Sequence, residues 1–297
     1  MTAMADVWHV LIHPWSQTIM QRALVEVTLL GVVGGTLGCW IVLYRLSYSA
    51  ESLAHALLPG LVLATLTGLP LLVGGAIGLL AAAGAIALAE RAPGIEPDTA
   101  VAVVITSLFG LGVLLALSPS SPPGIRGILF GDVLGVSDGD LLLAAILASI
   151  VIAALWLLHG QLLAVGFDRM SAPALGARPA FVDAALLVLI ALAILVAVQG
   201  LGNLLVLAVL IGPSSTARLL CRRMPAMMVV AALLAVAGAL GGLYLSYYAG
   251  TAAGASIAGT YVALFLLTLA GSRLRDRASA ARRIRVPGAA TPASASP

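Results

Sequence analysis

The sequence predicts an all-α, polytopic integral membrane protein. Of its 297 residues, 61% are hydrophobic and only 9% are charged, and the mean hydropathy is +1.12. A soluble domain carries about 25% charged residues, so no soluble core absorbs this much apolar surface. The apolar runs are continuous and about 20 residues long, the length of a helix that crosses a bilayer. A membrane β-barrel would instead show strands of about ten residues with alternating polarity.

These runs predict about nine membrane-spanning helices, the second of them short. Residues 1–19 precede the spans and are predicted to form an amphipathic, interfacial lead-in, because Trp8 and Trp15 favour the membrane interface. The lead-in has no charged n-region and no cleavage site, so no removable signal peptide is expected. The spans are placed near residues 20–43, 50–67, 69–89, 98–117, 140–158, 181–199, 202–220, 225–248 and 254–272.

The arginines predict the orientation of the chain in the membrane. With the N-terminus outside, the loops after odd-numbered helices and the C-terminal tail are cytoplasmic. They then hold all 15 arginines except Arg22 and Arg126, as the positive-inside rule requires. The transmembrane domain is assigned to residues 20–272, and the basic stretch 273–297 to a disordered cytoplasmic tail. The broken region 118–139 is predicted to be a loop with a short re-entrant or interfacial helix.

The stretch 44–60 carries the strongest candidate site. Glu51 and His55 are four residues apart, so a helix places both side chains on one face. His55 is the one histidine expected inside the apolar part of the chain. An ionisable group at membrane depth usually belongs to a transport pathway, a proton relay or an ion pair. Pro59 and Gly60 follow, and they are predicted to interrupt the helix because proline lacks the backbone N–H.

A second histidine pair with the same spacing, His9 and His13, lies in the lead-in. Pro14 ends any helix directly after it. Metal capture by this pair is therefore the weaker of the two metal hypotheses.

A second interruption is predicted at Gly212 and Pro213, where the serines that follow can satisfy the carbonyls that proline frees. Two interrupted helices are typical of a transport site near the membrane midplane. The alternative is that Ser214 or Ser215 is the nucleophile of an intramembrane protease. That reaction needs a base, for which only His55 is available, and neither serine lies in a GxSxG motif.

The segment 166–183 is a polar, cytoplasmic interval between two predicted spans. Asp168 is predicted to cap a short helix from Arg169 to Leu175, which Gly176 ends. A short helix on the cytoplasmic face can dock in a groove of another protein. The alternative is an ordinary connecting loop.

The chain lacks the parts of an ATPase. It contains no lysine, and the Walker A phosphate-binding loop requires one. We therefore expect a transport subunit rather than an enzyme. The energy for a pump would come from another subunit or from an ion gradient.

Several segments, taken in order, resemble the membrane permease subunit of the ATP-binding-cassette (ABC) importers for zinc and manganese. The resemblance covers about residues 20–272. The family motif more often has Asp at the position of Glu51 and Ser at the position of Ala54. The segments are RLSYSAESLAHALLPG (45–60), EPDTAVAVVITSLFGLGV (96–113), ILFGDVLGVSDGDL (128–141), FDRMSAPALG (167–176), LVLAVLIGPSSTARLL (205–220) and GLYLSYYAGTAAGASI (242–257).

The resemblance implies a homodimer in the bacterial inner membrane. It would rest on a cytoplasmic ABC ATPase, which uses the ATP, and would receive metal from an extracytoplasmic solute-binding protein. No permanently bound cofactor and no nucleic-acid partner are expected. Glu51 and His55 would line the metal path. The remaining implied roles are ATPase coupling for Asp168, Ala172, Leu175 and Gly176, and pathway or hinge positions for Pro59, Gly60, Gly212 and Pro213.

The chemistry of the pair agrees with a transported transition metal. Carboxylate and imidazole ligands suit Zn²⁺ or Mn²⁺, and the general order of metal affinities favours Zn²⁺ at such a site. Two other transporters remain as alternatives. One is an ABC permease for vitamin B12 or iron-siderophores, and the other is a proton-coupled secondary transporter in which the pair relays protons.

Overall fold

The computed structural model describes residues 13–89, 93, 94, 96–118 and 133–284, and in this part of the chain it contains helices and no strands. Two short 3₁₀ helices, His13–Ser16 and Ala172–Leu175, accompany the α-helices. We number the α-helices in chain order: α1 Thr18–Leu43, α2 Ser47–Thr67, α3 Leu71–Ala89, α4 Pro97–Ala116, α5 Asp138–Phe167, α6 Pro179–Leu220, α7 Met224–Ala249 and α8 Ala253–Ile284.

Within the described residues, 8 helical segments are long and apolar enough to cross a membrane. Each of the helices α1 to α8 supplies one, and the segment in α6 is Pro179–Val198. The second half of α6, Leu205–Leu220, is a further apolar helix of shorter length. The all-α, polytopic membrane fold predicted from the sequence is confirmed.

Helix α6 is two antiparallel helices joined by a sharp turn. Gly202 has φ 74° and ψ 159°, which lie outside the helical region and which glycine adopts readily. Ala193 and Ala197 line the same small cavity as Val206 and Leu210. A straight helix would separate Ala193 from Leu210 by roughly 25 Å, so the chain must reverse between them.

We call Pro179–Val198 α6a, Leu205–Leu220 α6b, and residues 199–204 between them the hairpin turn. The two halves correspond to the spans predicted at 181–199 and 202–220. The nine predicted spans therefore correspond, within the described residues, to eight segments of spanning length and the shorter apolar helix α6b.

The predicted interruption at Gly212 and Pro213 is wrong, because α6b continues through both residues and the break lies at Gly202. The interruption predicted at Pro59 and Gly60 is also wrong, since α2 is one helix of 21 residues with Pro59 inside it. A proline removes one hydrogen bond from the ladder, and packing against neighbouring helices keeps such helices intact in membranes.

Helix α1 lies at the centre of the bundle, where it packs against α5, α6 and α7. Its side chains Ala23, Val27 and Trp40 are completely buried. Helix α2 packs against α3, α4 and α6, while α8 packs against α6 and α7. Helix α6 therefore touches both α1 and α2 and joins the two parts of the bundle.

The predicted connecting and terminal segments fall partly outside the described residues. Of the predicted loop 118–139, residues 119–132 lie outside them, as does most of the lead-in. The last helix, α8, continues to Ile284. The tail that the sequence predicts to be disordered from residue 273 is therefore helical as far as residue 284, and residues 285–297 lie outside the described part.

Candidate functional site

Glu51 and His55 lie on one face of α2, one turn apart, as the spacing predicts. Oε1 of Glu51 is 3.9 Å from Nε2 of His55. The side chain of Glu51 is 54% exposed and that of His55 is 22% exposed in the single chain. The carboxylate and the imidazole are therefore close enough to share one ion and open enough to receive it.

The imidazole of His55 is positioned by an aromatic neighbour on another helix. The ring of Phe109, on α4, meets it edge-on with 4.6 Å between the ring centroids. This contact fixes the side of the imidazole that faces the bundle and leaves Nε2 on the side of Glu51. Within the described residues, no third His, Cys, Asp or Glu joins the pair in a metal-binding group.

Close helix packing holds α2 in place beside the site. A Cβ atom at Gly60 would overlap the carbonyl oxygen of Gly74 on α3. A Cβ atom at Gly112 on α4 would come within 2.8 Å of Leu58. Small residues allow membrane helices to approach this closely. Gly60 therefore acts as a packing position, and the hinge role assigned to it, Pro59, Gly212 and Pro213 stays a prediction.

The hydroxyl groups of Ser214 and Thr216 on α6b have structural partners. Ser214 is completely buried, and its Oγ donates a hydrogen bond to the carbonyl oxygen of Leu210 at 2.8 Å. Thr216 donates to the carbonyl oxygen of Gly212 at 2.8 Å. Both hydroxyl groups are thus bonded to carbonyl groups of their own helix, which places Ser214 in the helix core rather than in a protease site.

The expectation that His55 is the one histidine inside an apolar helix is wrong, because His159 lies within α5. The ring of His159 meets that of Trp40 edge-on, with 5.4 Å between the centroids, and it lines an apolar groove between α1, α5 and α7. Of the lead-in histidines, His9 lies outside the described residues. Nδ1 of His13 is 3.0 Å from the hydroxyl oxygen of Tyr247.

The predicted coupling segment ends at Gly176 as expected, but its helix begins at Ala172 rather than at Arg169, with Ser171 instead of Asp168 at the N-cap position. Oδ1 of Asp168 accepts hydrogen bonds from the amides of Met170 and Ser171 at 3.0 and 3.2 Å. A hydrogen bond with the Ser171 side chain, together with these two backbone bonds, holds the pKa of Asp168 below its usual range. Regular helix covers only Ala172–Leu175 and ends at Gly176, whose φ is 78°.

One face of this segment is fixed to the bundle, and the other is exposed and apolar. Ala172 is completely buried, and the guanidinium of Arg169 pairs with the carboxylate of Asp183 at the start of α6. Met170 is 90% exposed and Leu175 is 76% exposed. The segment thus presents a rigid apolar surface, which has the character of a docking site rather than of a slack connecting loop.

A second carboxylate inside the membrane, Glu26, was missed by the sequence reasoning. It lies on α1 and is only 2% exposed. Its Oε2 has no hydrogen-bond partner among the described residues. The signal was available, because Glu26 is a lone acidic residue within an apolar run, and such residues in membrane spans are usually functional.

The model of the ABC 3 transport family matches residues 16–272, which include α1 to α7, the candidate pair and the coupling segment. The chain belongs to the ABC 3 transport family. It is a multi-pass membrane permease of the bacterial ABC-importer type, located in the inner membrane, and the resemblance stated from the sequence is confirmed.

Two sequence relatives of this ABC 3 family permease cover most of its length. It is 34% identical over 240 residues to the manganese transport system membrane protein MntC of Listeria monocytogenes, which spans 81% of this chain and 86% of the relative. It is 33% identical over 268 residues to a probable iron transport system membrane protein of Haemophilus influenzae, spanning 90% of this chain and 98% of the relative.

A solved structure extends the comparison to three dimensions. The ABC 3 family permease superposes on PsaBC from Streptococcus pneumoniae in complex with Fab, with a TM-score of 0.81 and 30% identity. The superposition covers 88% of this chain and 95% of that chain. The helical arrangement described above is therefore the one seen in that structure.

Proposed function

We propose that this permease forms the transmembrane pathway of an ABC importer for a divalent transition-metal ion. The observation that carries the proposal is the open pair on α2, with Oε1 of Glu51 3.9 Å from Nε2 of His55. A transport site must bind its ion strongly enough to admit it and weakly enough to release it. Two ligands from one chain leave the remaining coordination positions open, so that they can be filled and vacated during transport.

A second copy of the chain would complete the coordination. In a homodimer with the two α2 faces opposed, each copy contributes one carboxylate and one imidazole, which makes four ligands, the number that a tetrahedral zinc site has. The exposure of Glu51 in the single chain supports this arrangement, because an unshared carboxylate at membrane depth would be costly.

The energy is proposed to come from a separate cytoplasmic ATPase that docks on the coupling segment. The exposed side chains of Met170 and Leu175 form the apolar contact, and the pair of Arg169 with Asp183 holds the segment rigid. Force applied at this surface reaches α5 and α6 directly, since the segment joins them. In the orientation that the arginines favour, this end is cytoplasmic and the N-terminus is outside, where a solute-binding protein delivers the ion.

The metal is proposed to be Mn²⁺, with Zn²⁺ as the second candidate. A carboxylate and an imidazole bind either ion, and the general order of affinities alone favours Zn²⁺. We favour Mn²⁺ because the MntC relative is named as a manganese transport system membrane protein. Selection against zinc would then depend on the binding protein and on further ligands along the pathway.

The test is metal uptake into proteoliposomes that contain the permease, its ATPase and its solute-binding protein. We expect ATP-dependent accumulation of Mn²⁺ that is lost in His55→Ala, while the variant protein still assembles and hydrolyses ATP. His159→Ala is the matched control, because it removes an imidazole from another membrane helix, and it should transport like the wild type.

Other outcomes assign the protein differently. Accumulation of Zn²⁺ alone would keep the mechanism and correct the metal. Uptake that needs a proton gradient and no ATPase would favour a secondary transporter. Full metal uptake by His55→Ala would show that the pair on α2 is not the transport site.

A further inference from the structure

Glu26 is a buried carboxyl group inside the membrane that has no role in the proposed site on α2. It lies eight residues into α1, at a depth of roughly 12 Å along the helix. The side chain is 2% exposed, and Oε2 has no hydrogen-bond partner among the described residues. A buried polar atom that lacks a partner is costly, so such an atom at membrane depth calls for a functional explanation.

No described cation neutralises this carboxylate. The ion pairs in the described part of the chain involve other acids, and Arg22, one turn away on α1, bonds to Asp138 at 2.9 Å. The start of α5, which meets this end of α1 through Arg22 and Asp138, adds acids and no base in its first turn. Glu26 is therefore a buried carboxyl group that has no counter-charge among the described residues, and a bound cation would supply one.

The wall opposite Glu26 is the hairpin turn of α6. A Cβ atom at Gly200 would overlap Oε1 of Glu26, so the carboxylate lies directly against the backbone of the turn. At Gly202 the backbone leaves the helical conformation, which takes nearby carbonyl and amide groups out of the regular ladder. Irregular backbone at membrane depth is tolerated where it is buried in protein or lines a cavity, and broken helices commonly bind ions with such carbonyl groups.

We propose that Glu26 and the backbone of the hairpin turn form a second binding site for the transported cation. This inference rests on the proposed function and deepens it. Glu26 and His55 each lie eight residues after the first residue of their helices. Because α2 starts at the end of the bundle where α1 finishes, Glu26 lies nearer one membrane surface and His55 nearer the other. Helix α6 packs against both α1 and α2 and connects the sites.

The ligands at this second site are oxygen atoms: the carboxylate of Glu26 and carbonyl groups of the turn. Oxygen ligands suit Mn²⁺, whereas Zn²⁺ prefers nitrogen and sulfur. Two sites in series also allow an ion to leave the first as it enters the second. In the conformation described here the site is closed, and the ion enters when the hairpin turn moves away from α1.

The decisive variant is Glu26→Gln, which keeps the shape of a neutral carboxyl group and removes the negative charge. In the reconstituted importer we expect uptake of Mn²⁺ at low concentration to fall by about tenfold or more, as expected for weakened metal coordination. Uptake of Zn²⁺ should fall less, and Glu26→Asp should retain part of the Mn²⁺ uptake. Glu96→Gln makes the same change on an exposed carboxylate at the start of α4 and should transport like the wild type.

A binding measurement separates this inference from the proposed function. The double variant Glu51→Gln, His55→Ala should still bind radioactive Mn²⁺ at equilibrium, and adding Glu26→Gln should abolish the remaining binding. Gly200→Ala should reproduce the loss with Glu26 intact, because the added methyl group displaces the carboxylate. The inference is overturned if Glu26→Gln imports and binds Mn²⁺ like the wild type, even where the variants of Glu51 and His55 confirm the site on α2.

Discussion

Glu26 and Glu51 are the same chemical group in similar helices, yet the bundle gives them opposite environments. Glu51 is 54% exposed and has His55 one turn away, whereas Glu26 is 2% exposed and has one oxygen without a partner. The cause is the position of each residue on its helix: Glu26 faces the turn of α6 at Gly200, whereas Glu51 lies near the start of α2 on a face that the other helices leave open. Accessibility, rather than residue type, decides which carboxylate is ready to bind an ion in this conformation.

The largest expected effect concerns the exposed carboxylate. Glu51→Gln should lower uptake of Mn²⁺ by about tenfold to a hundredfold, because an amide cannot supply the negative charge that the ion requires. Glu51→Asp keeps the charge on a side chain one methylene shorter and should lose less than about tenfold. Initial rates of uptake in proteoliposomes, at matched protein levels, measure both variants.

The opposite ranking would break the comparison between the two carboxylates. If Glu51→Gln transported normally while Glu26→Gln did not, the buried site would be the main ion site. The exposed pair would then have a structural role.

An intermediate effect on stability is expected from the packing that holds α2 beside its neighbours. Gly60→Ala places a methyl group against the backbone of Gly74 and should destabilise the protein by about 1–3 kcal/mol. The change is measured as a lower melting temperature of the purified permease, followed by tryptophan fluorescence. Gly84→Ala on α3 is the matched control, because its new Cβ atom would meet nothing within 4 Å.

The control should be neutral or slightly stabilising, since alanine is a better helix former than glycine. An equal loss of stability in both variants would mean that backbone conformation, rather than contact with α3, explains the glycine at position 60.

The smallest effect is expected at Asp168, a third carboxylate, which lies outside the membrane and is held by the amides of its own loop. Asp168→Asn should weaken the hydrogen bonds that shape the coupling segment. The number of ATP molecules hydrolysed per imported ion should then rise, but by less than about tenfold, because an exposed side chain that accepts such bonds stabilises the loop only modestly. The pKa of Asp168 is lower in the folded protein than in the unfolded chain. The ionised side chain therefore adds to the free energy of unfolding above the unfolded pKa, and this contribution is lost as the pH falls through the folded pKa.

The carboxyl group of Asp168 should therefore cause no change in the ratio of ATP hydrolysed to ion imported between about pH 5 and 8. Both of its pKa values, folded and unfolded, lie below that range. A change in the ratio of ATP to ion within that range, absent in Asp168→Asn, would contradict this account of the loop.

Local sequence was a good guide where the responsible interaction is local. The spacing of Glu51 and His55 sets their common helix face, and the helix end at Gly176 was predicted because it involves neighbouring residues. The helix breaks were predicted at the wrong residues because a proline in the sequence is not sufficient to interrupt a helix. Pro213 stays inside a helix that its neighbours support, whereas the chain turns at Gly202, where a positive φ is required.

By itself, the sequence determined the membrane class, the all-α fold and the common helix face of Glu51 and His55, because hydropathy and helix periodicity are properties of the chain alone. The tertiary structure alone decided the meeting of Glu26 with Gly200, which lies on a distant helix, and the different burial of the two carboxylates. The physical reason is that burial and partnership depend on which helices become neighbours. That choice comes from packing between residues far apart in the chain, at positions that no local pattern marks.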